Sequence, residues 1–367
     1  MRLMAVLRKR IRSGKCMKSS QSMVDVYFRK RINKMRIRGS IVAVCVLASG
    51  MFSLPSLAGT EVLFAPKVIV LTAFPPEWHA WKELKPYHYK SIKISGLIRP
   101  LLCNQDGVCV TETGEGEINA AVSVASLAKD HQLDVRKTIF IRSGIAGGVD
   151  QADSPLGSVY INDWVISWAF GHHYLANNKT LAWSPPGCDN YAKNFAHPTD
   201  CANYAQNSLE NLAYRINPRL LALAEDAARN IKLQNDAAAI SLDEKFHLQK
   251  QPKVLVGATI TGDDFWIGKE NQEIAEKIVK LYTQGTGHYT NTAMEDLGDV
   301  AALSRFGLAD HYLSIRGISD VDVPPPGETE ESIWAKGDLY AGELAEQNAV
   351  LATQAIIKKI LSIKGGI

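Results

Sequence analysis

Residues 138–148, which read TIFIRSGIAGG, are the stretch that decides the fold. The first half is a short apolar run rich in β-branched and aromatic side chains, which predicts a strand buried on both faces. The second half, 143–148, contains three glycines, and this density predicts a loop after the strand. In open α/β sheets, ligands bind outside the carboxyl ends of such strands.

The segments on either side of this stretch repeat the pattern. Further buried strands are predicted at 67–72, 157–168, 254–259 and 311–316, with a hairpin at 92–110. Helices are predicted from Pro75 and over about 118–131, 271–282, 297–306 and 342–360. Strands and helices that alternate predict an α/β fold, with one central mixed sheet flanked by helices on both faces.

The charge is unevenly distributed along the 367 residues. Residues 1–39 hold 13 of the 41 Lys and Arg residues but only one of the 38 acidic residues. The remainder has 28 basic and 37 acidic residues and a net charge of −9. This charge argues against nucleic acid as a partner. The composition, 46% hydrophobic and 22% charged, excludes a disordered chain or a small disulfide scaffold.

The basic leader is followed by an apolar run over 41–57 that ends in Ser56-Leu57-Ala58. This order predicts a signal peptide over 1–58, cleaved after Ala58, and a globular domain over 59–367. The alternative is an uncleaved N-terminal anchor. Beyond Thr60 no window approaches 18 uncharged apolar residues, so we expect an exported protein, periplasmic or extracellular, that forms no membrane pore.

Four cysteines follow the leader: Cys103, Cys109, Cys188 and Cys201. In an oxidising compartment the even number predicts two disulfides, for which three pairings exist. A turn at Asp106-Gly107 would bring Cys103 close to Cys109 and leave Cys188 with Cys201. The alternative is four buried thiols. No CxxC motif occurs, and His172-His173 has no further ligand at metal spacing, so no metal site is predicted.

Residues 171–217 differ from their surroundings because Trp, Pro, Asn, Cys and His replace the periodic pattern. We interpret this segment as an insertion or lid loop in the domain; the alternative is surface decoration.

Polar groups follow four of the predicted strands: Glu77, Arg142 with the glycine-rich stretch, Asp263-Asp264 with Phe265-Trp266, and Ser319-Asp320. Taken singly, each has a structural explanation, such as a helix cap or a tight turn. Together they predict a pocket with acids, a cation and an aromatic wall.

Five motifs carry a family resemblance: VIVLTAFPPE at 68–77, GIAGG at 144–148, TGDDF at 261–265, Met294-Glu295 and Ser319-Asp320. In this order they resemble the nucleoside phosphorylase / methylthioadenosine nucleosidase superfamily over about 67–360. The run DVPPPG at 322–327 and the signal peptide resemble its purine nucleoside permease (NUP) branch, a family named for nucleoside uptake.

The resemblance implies a role for each motif. Asp320 would be the catalytic acid that protonates the leaving purine, beside Ser319. Glu295 would accept hydrogen bonds from the ribose hydroxyls, and Met294 would lie under the sugar. Phe265 and Trp266 would pack on the base. Gly147 would belong to the substrate-binding motif.

Two candidates compete around the nucleophile. Glu77 falls where the nucleosidases keep the carboxylate that activates water. Arg142 falls where the phosphorylases keep an arginine for phosphate, and Gly144 would complete that anion site. The alternative for Arg142 is a salt bridge within the protein. Ile145 departs from the Ser or Thr of both groups, which weighs against catalysis.

The sequence thus predicts an exported purine nucleoside-binding protein that serves uptake or salvage and cleaves the N-glycosidic bond by phosphorolysis or hydrolysis. No cofactor is expected, and phosphate would be the co-substrate of phosphorolysis. The alternative is a non-catalytic accessory protein that passes nucleosides to a membrane transporter. The sequence does not give the oligomeric state; because relatives of this fold often share sites across dimer contacts, a homodimer is one candidate assembly.

Overall fold

A computed structural model describes residues 64–84, 90–149, 154–168, 170, 172–176, 180–184, 198–245, 247, 251–324, 326–332 and 341–363. Residues Ala58–Ile367 form one compact unit. The predicted signal peptide lies outside the described residues and stays a prediction, as does export.

A ten-stranded mixed sheet organises the domain, and the α/β prediction is confirmed. Along the sheet the strand order is β11-β10-β6-β12-β5-β1-β4-β3-β2, with β9 paired to β6. Two further strands, β7 and β8, form a separate small sheet. The strands are β1 Val68–Thr72, β2 Lys90–Ile92, β3 Leu101–Cys103, β4 Val108–Glu112, β5 Ile139–Gly148, β6 Val159–Ser167, β7 His172–Ala176, β8 Thr180–Ser184, β9 Ala213–Arg215, β10 Val254–Thr261, β11 Tyr289–Ala293 and β12 Tyr312–Val321.

Five of these strands close into a ring, because β11 pairs with β10 on one side and with β5 on the other. The closing contact is antiparallel and joins Asn291 to Gly148 and Thr292 to Gly147. We call these four residues the seam. The remaining strands of the ring, β6 and β12, complete it between β10 and β5.

The predicted glycine loop at 143–148 is in fact the second half of β5. Strand pairing explains the difference, since β12 accompanies β5 in parallel up to Gly148. The glycines permit close packing there: a Cβ on Gly148 would lie 2.7 Å from the Ile318 side chain. The strand predicted at 311–316 is longer for the same reason, and Ser319-Asp320 lies within β12.

Helices pack against the sheet on both faces, and the predicted ones are found close to their expected positions. The helices are α1 Pro75–Lys82, α2 Glu117–Lys129, α3 Pro198–Asn207, α4 Pro218–Ala228, α5 Ala237–Lys245, α6 Lys269–Tyr282, α7 Asp296–Arg305 and α8 Gly342–Ser362. The buried face of α8 includes Leu344, Ala345 and Ile356. Among the helices described, none is long and apolar enough to cross a bilayer.

The 171–217 segment, predicted to be an insertion or lid loop, contains regular secondary structure. Residues 171, 177–179 and 185–197 lie outside the described residues, but α3 forms within the segment, and β9 adds to the main sheet by pairing with β6. The fading of sequence periodicity therefore does not mark a loop throughout. Its interpretation as a lid stays a prediction.

Cys103 and Cys109 form a disulfide across the β3–β4 hairpin, as the Asp-Gly turn predicts. Cys201 is buried on α3. Cys188 lies outside the described residues, so its pairing with Cys201 stays a prediction.

Candidate functional site

A cavity opens at the carboxyl ends of β1, β5, β10, β11 and β12. Together with the open space at its entrance, it has a volume of about 820 Å³. Eight of the ten predicted site residues line it: Glu77, Gly147, Phe265, Trp266, Met294, Glu295, Ser319 and Asp320. Arg142 and Gly144 are not among the lining residues.

Glu77 enters the cavity from the first turn of α1, which the two prolines at 75–76 start directly after β1. Its Oε2 accepts a hydrogen bond of 2.6 Å from the amide of Ala73, and its Oε1 accepts one of 2.9 Å from the amide of Ile145. Burial raises the pKa of Glu77 to about 7, although Arg316 opposes the rise. The carboxyl group is therefore poised to take or give a proton near neutral pH.

Gly144 is the residue that makes room for Glu77. A Cβ built on Gly144 would lie only 2.1 Å from Glu77 Oε1. The space assigned to an anion from the sequence is thus occupied by the carboxyl group of Glu77. We correct the assignment of Gly144 accordingly: it permits the close approach of an acid instead of binding phosphate.

Arg142 also needs a correction, because its side chain is fully buried beneath the site. The guanidinium donates two hydrogen bonds of 2.8 Å to Asp299 on α7 and two of 3.1 Å to Thr113 Oγ1. Burial alone would lower the pKa of Arg142, but the Asp299 carboxylate outweighs it and raises the pKa. The salt-bridge alternative describes this residue, and the bidentate pair leaves no fork for phosphate.

The cation that borders the cavity is Arg316, which sequence reasoning missed. In the parallel pairing of β12 with β5, Ser314 lies opposite Arg142 and Arg316 lies opposite Gly144. Arg316 is therefore two residues, or about 7 Å, nearer the ligand edge of the sheet. A charged residue inside an apolar strand was the available signal, and it marks both arginines equally.

Arg316 holds the acids of the cavity in place. It donates to Glu295 Oε2 at 2.9 Å, to Asp296 Oδ2 at 2.5 and 3.1 Å, and to the carbonyl of Ile145 at 2.9 Å. Tyr312 then links the two ion pairs, since its hydroxyl lies 2.9 Å from Asp296 Oδ1 and 3.2 Å from Asp299 Oδ2. The result is one buried network that runs from Arg142 to Glu295.

Glu295 follows β11 at the position where α7 begins, and only 3% of it is exposed. Its Oε1 accepts a 3.1 Å hydrogen bond from the amide of Gly116, while Oε2 is held by Arg316. Met294 lies beside it on the cavity wall. A fixed carboxylate is an acceptor that vicinal hydroxyl groups of a sugar can use.

The aromatic wall comes from the segment after β10. Phe265 is 47% exposed at the cavity mouth, whereas Trp266 is buried and stacks on Trp168 with ring centroids 4.8 Å apart. Asp264 lines the cavity, but Asp263 accepts a 2.7 Å hydrogen bond from the amide of Glu117 and so caps α2. The segment is thereby tied to a second element, which orients the exposed ring.

Ser319 and Asp320 lie at the carboxyl end of β12, which ends at Val321. The Ser319 hydroxyl donates to Asp320 Oδ1 at 2.6 Å, and Asp320 Oδ2 lies 3.4 Å from where a Cβ of Gly147 would be. Burial raises the pKa of Asp320, against the hydrogen bond from Ser319. A raised pKa favours the protonated form of a carboxyl group, which can donate a hydrogen bond.

Asp322 is a second carboxyl group near Asp320, and the sequence did not predict it as a site residue. It is 2% exposed and lines the cavity. Its Oδ2 accepts hydrogen bonds from Tyr289 at 2.5 Å and from Thr292 at 3.3 Å. In the sequence it stands beside a proline run, which suggested family membership but no contact with the site.

The described residues contain no group of three or more His, Cys, Asp or Glu that could hold a metal ion. The cavity wall is largely apolar and carries several carboxyl groups and one guanidinium, that of Arg316.

Comparison with known proteins gives a family and a fold. The family model described as "Purine nucleoside permease (NUP)" matches residues 65–363. A probable purine nucleoside permease of Schizosaccharomyces pombe is 26% identical over 290 residues, which are 74% of this chain and 80% of that protein. A purine nucleoside permease of Candida albicans is 26% identical over 313 residues, 82% of this chain and 76% of that protein.

Solved structures share the fold at lower identity. A 5′-methylthioadenosine/S-adenosylhomocysteine nucleosidase from Colwellia psychrerythraea superposes with a TM-score of 0.53 and 19% identity, covering 80% of this chain and 95% of that one. Futalosine hydrolase of Helicobacter pylori gives a TM-score of 0.52 and 16% identity, covering 81% and 98%.

Proposed function

Because the chain belongs to the purine nucleoside permease (NUP) family, we propose that it binds purine nucleosides in the cavity and hydrolyses their N-glycosidic bond. The observation that carries the proposal is the convergence of Glu77, Glu295 and Asp320 on one cavity beside Phe265. These residues come from four separate segments of the chain. A shared cavity with these groups suits a substrate that has a sugar and an aromatic base.

The two ends of the cavity suit the two parts of the substrate. Glu295 would accept hydrogen bonds from the ribose hydroxyls, with Met294 under the sugar ring. Phe265 would pack on the base, and Trp266 would support that wall. The Gly147 backbone would let the base approach the end of β5 closely.

The reaction follows from the protonation states of two acids. Ionised Glu77 would take a proton from a water molecule while the oxygen of that water attacks C1′. Protonated Asp320 would give its proton to N7 of the departing purine. The C1′–O bond forms as the C1′–N bond breaks, and the products are ribose and the free base. The surroundings of Glu77 support its role as the base, since its pKa is about 7 and it lies next to the Arg316 cation.

Hydrolysis is favoured over phosphorolysis by the way the arginines are engaged. Arg142 is fully buried against Asp299, and Arg316 directs its donors to Glu295, Asp296 and a backbone carbonyl. Neither guanidinium presents the open fork that phosphate binding uses. We therefore expect water, held at Glu77, as the nucleophile.

A second candidate function is nucleoside binding without catalysis, for delivery to a separate membrane transporter. Ile145 favours it, because an apolar side chain stands next to Glu77 where the resembled enzymes carry a hydroxyl group. In either case we propose that the protein is exported and acts in nucleoside uptake or salvage. A homodimer, one candidate assembly, belongs to the same proposal.

Incubation of the purified protein with inosine or adenosine, with and without phosphate, tests the proposal. We expect free base to be released without phosphate, at a rate that Asp320→Asn and Glu77→Gln each lower at least 100-fold. Asp310→Asn, an exposed acid outside the cavity, serves as the matched control. Saturable binding with no base release would establish the second candidate, and release only with phosphate would contradict hydrolysis.

The ribose assignment has its own test. Glu295→Ala should weaken the binding of inosine far more than that of hypoxanthine, because only the riboside loses its hydrogen-bond partner. Equal losses for both ligands, measured by titration calorimetry, would remove Glu295 from the sugar site.

A further inference from the structure

Two carboxyl groups, not one, face the same point of the cavity wall. A Cβ built on Gly147 would lie 2.5 Å from Asp322 Oδ1 and 3.4 Å from Asp320 Oδ2, so these two oxygens are less than about 6 Å apart. Both residues line the cavity, and both are at least 95% buried. The reaction proposed above uses only Asp320, which leaves the neighbouring carboxyl group without a role.

The hydrogen bonds around each carboxyl group distinguish its two oxygens. Asp320 Oδ1 accepts from Ser319, and Asp322 Oδ2 accepts from Tyr289 and Thr292. Among the described residues, no donor lies within bonding distance of the other oxygen of either group, and these are the two oxygens that face Gly147. An oxygen that already accepts from a hydroxyl group is the poorer place for a proton, so each acid proton belongs on the oxygen that faces the cavity.

The surroundings of Asp322 favour the neutral form. Burial raises the pKa of Asp322 well above its usual range; the hydrogen bond from Tyr289 opposes the rise, and the charge of Asp320 adds to it. Two buried carboxyl groups this close also disfavour simultaneous ionisation. With both carboxyl groups protonated, the form that burial favours for each, they would present two hydrogen-bond donors side by side.

A purine offers a matching pattern on one edge. Guanine and hypoxanthine present N7 and a carbonyl oxygen at position 6, which are two adjacent acceptors, whereas adenine presents N7 as an acceptor and the 6-amino group as a donor. Two donors complement the first edge and mismatch the second.

We propose that Asp322 is a specificity-determining residue that donates a hydrogen bond from Oδ1 to the 6-carbonyl oxygen of the base, so that the site prefers 6-oxopurine nucleosides to adenosine. The inference rests on the proposed function, since it requires a purine in this cavity with N7 at Asp320. It adds the substrate class, which neither the family name nor the fold supplies. Tyr289 is a positioning residue in this scheme, because it orients Asp322 without reaching the base.

Calorimetric titration with hypoxanthine and with adenine tests the assignment on the full protein. For the wild type we expect hypoxanthine to bind at least tenfold more tightly than adenine. Asp322→Ala should bring the affinity ratio to about one, mainly through weaker hypoxanthine binding. Asp322→Asn should keep a preference for hypoxanthine, because its amide oxygen can accept from Tyr289 while its amide nitrogen donates to the base.

The Asn variant also guards against loss of folding, because it conserves the shape of the buried side chain. Tyr289→Phe should lower the ratio in part, and Asp310→Asn should leave it unchanged. A wild type that prefers adenine, or an Asp322→Ala ratio equal to that of the wild type, would overturn the inference alone. A wild type that binds neither base nor inosine would overturn the proposed function together with it.

Discussion

Arg142 and Arg316 lie on neighbouring strands in almost the same sequence setting, yet they serve different regions of the molecule. Arg142 pairs with Asp299 in the interior, whereas Arg316 borders the cavity and holds Glu295. The register of β12 against β5 makes the difference, since it moves Arg316 two residues toward the ligand edge. Distance from the end of the strand, and not residue type, decides which charge belongs to a site.

The strongest test of this comparison is Arg142→Met. Removing one partner of a buried ion pair leaves Asp299 uncompensated, and we expect the free energy of unfolding to fall by about 3–5 kcal/mol. Urea denaturation measures the loss, and Arg142→Met/Asp299→Leu should recover much of it. If the single variant loses less than about 1 kcal/mol, the buried pair is not what stabilises this region.

The second prediction concerns the pH dependence of stability that the buried carboxyl group of Glu77 causes. Its pKa of about 7 lies above the ordinary value of 4.5, so the folded protein keeps the proton longer than the unfolded chain does. Its contribution to stability is present below about pH 4.5 and is lost as the pH rises through about 7. By linkage, this loss is about 3 kcal/mol. Denaturation curves between pH 4.5 and 8 should show it in the wild type but not in Glu77→Gln, and identical curves would contradict it.

Arg316→Met completes the pair of arginine variants. Without this guanidinium Glu295 loses the donor at Oε2, and we expect the affinity for inosine to fall at least tenfold, about 1.4 kcal/mol. Folded Arg142→Met protein should retain the affinity within threefold. Calorimetric titration with inosine, at a temperature where both variants are folded, compares the two affinities. Equal losses of affinity would contradict the different roles assigned to the two arginines.

The smallest effect is expected from Ile145→Thr, which restores a hydroxyl group beside Glu77. Ile145 is partly exposed on the cavity wall, so the free energy of unfolding should change by less than about 1 kcal/mol. Base release should become two- to tenfold faster if the hydroxyl group helps to place water. A slower reaction would show that Ile145 is part of the working site.

The parts predicted from the sequence were those set by local patterns. Apolar runs located β1, β5, β10 and β12, and the Pro-Pro-Glu start placed Glu77 at the end of β1. The glycine stretch was misread because local density of glycine indicates a turn, whereas the pairing that extends β5 comes from strands far along the chain.

The errors at the site have the same origin. The partner of Arg142 is 157 residues away, so no local pattern could assign it. Asp322 and Tyr289 are 33 residues apart in the sequence, and they meet because β11 and β12 both belong to the ring. Most residues named from the family motifs line the cavity, but the hydrogen bonds that influence their protonation are properties of the assembled sheet.

The seam has a thermodynamic consequence. The ring closes through the pairing of Gly147-Gly148 with Asn291-Thr292, and two of these residues, Gly147 and Thr292, also line the cavity. If a bound molecule contacts both sides of the seam, its binding and the closure of the ring stabilise each other by the same free energy. Amide hydrogens of the seam should then exchange with solvent more slowly when the cavity is filled.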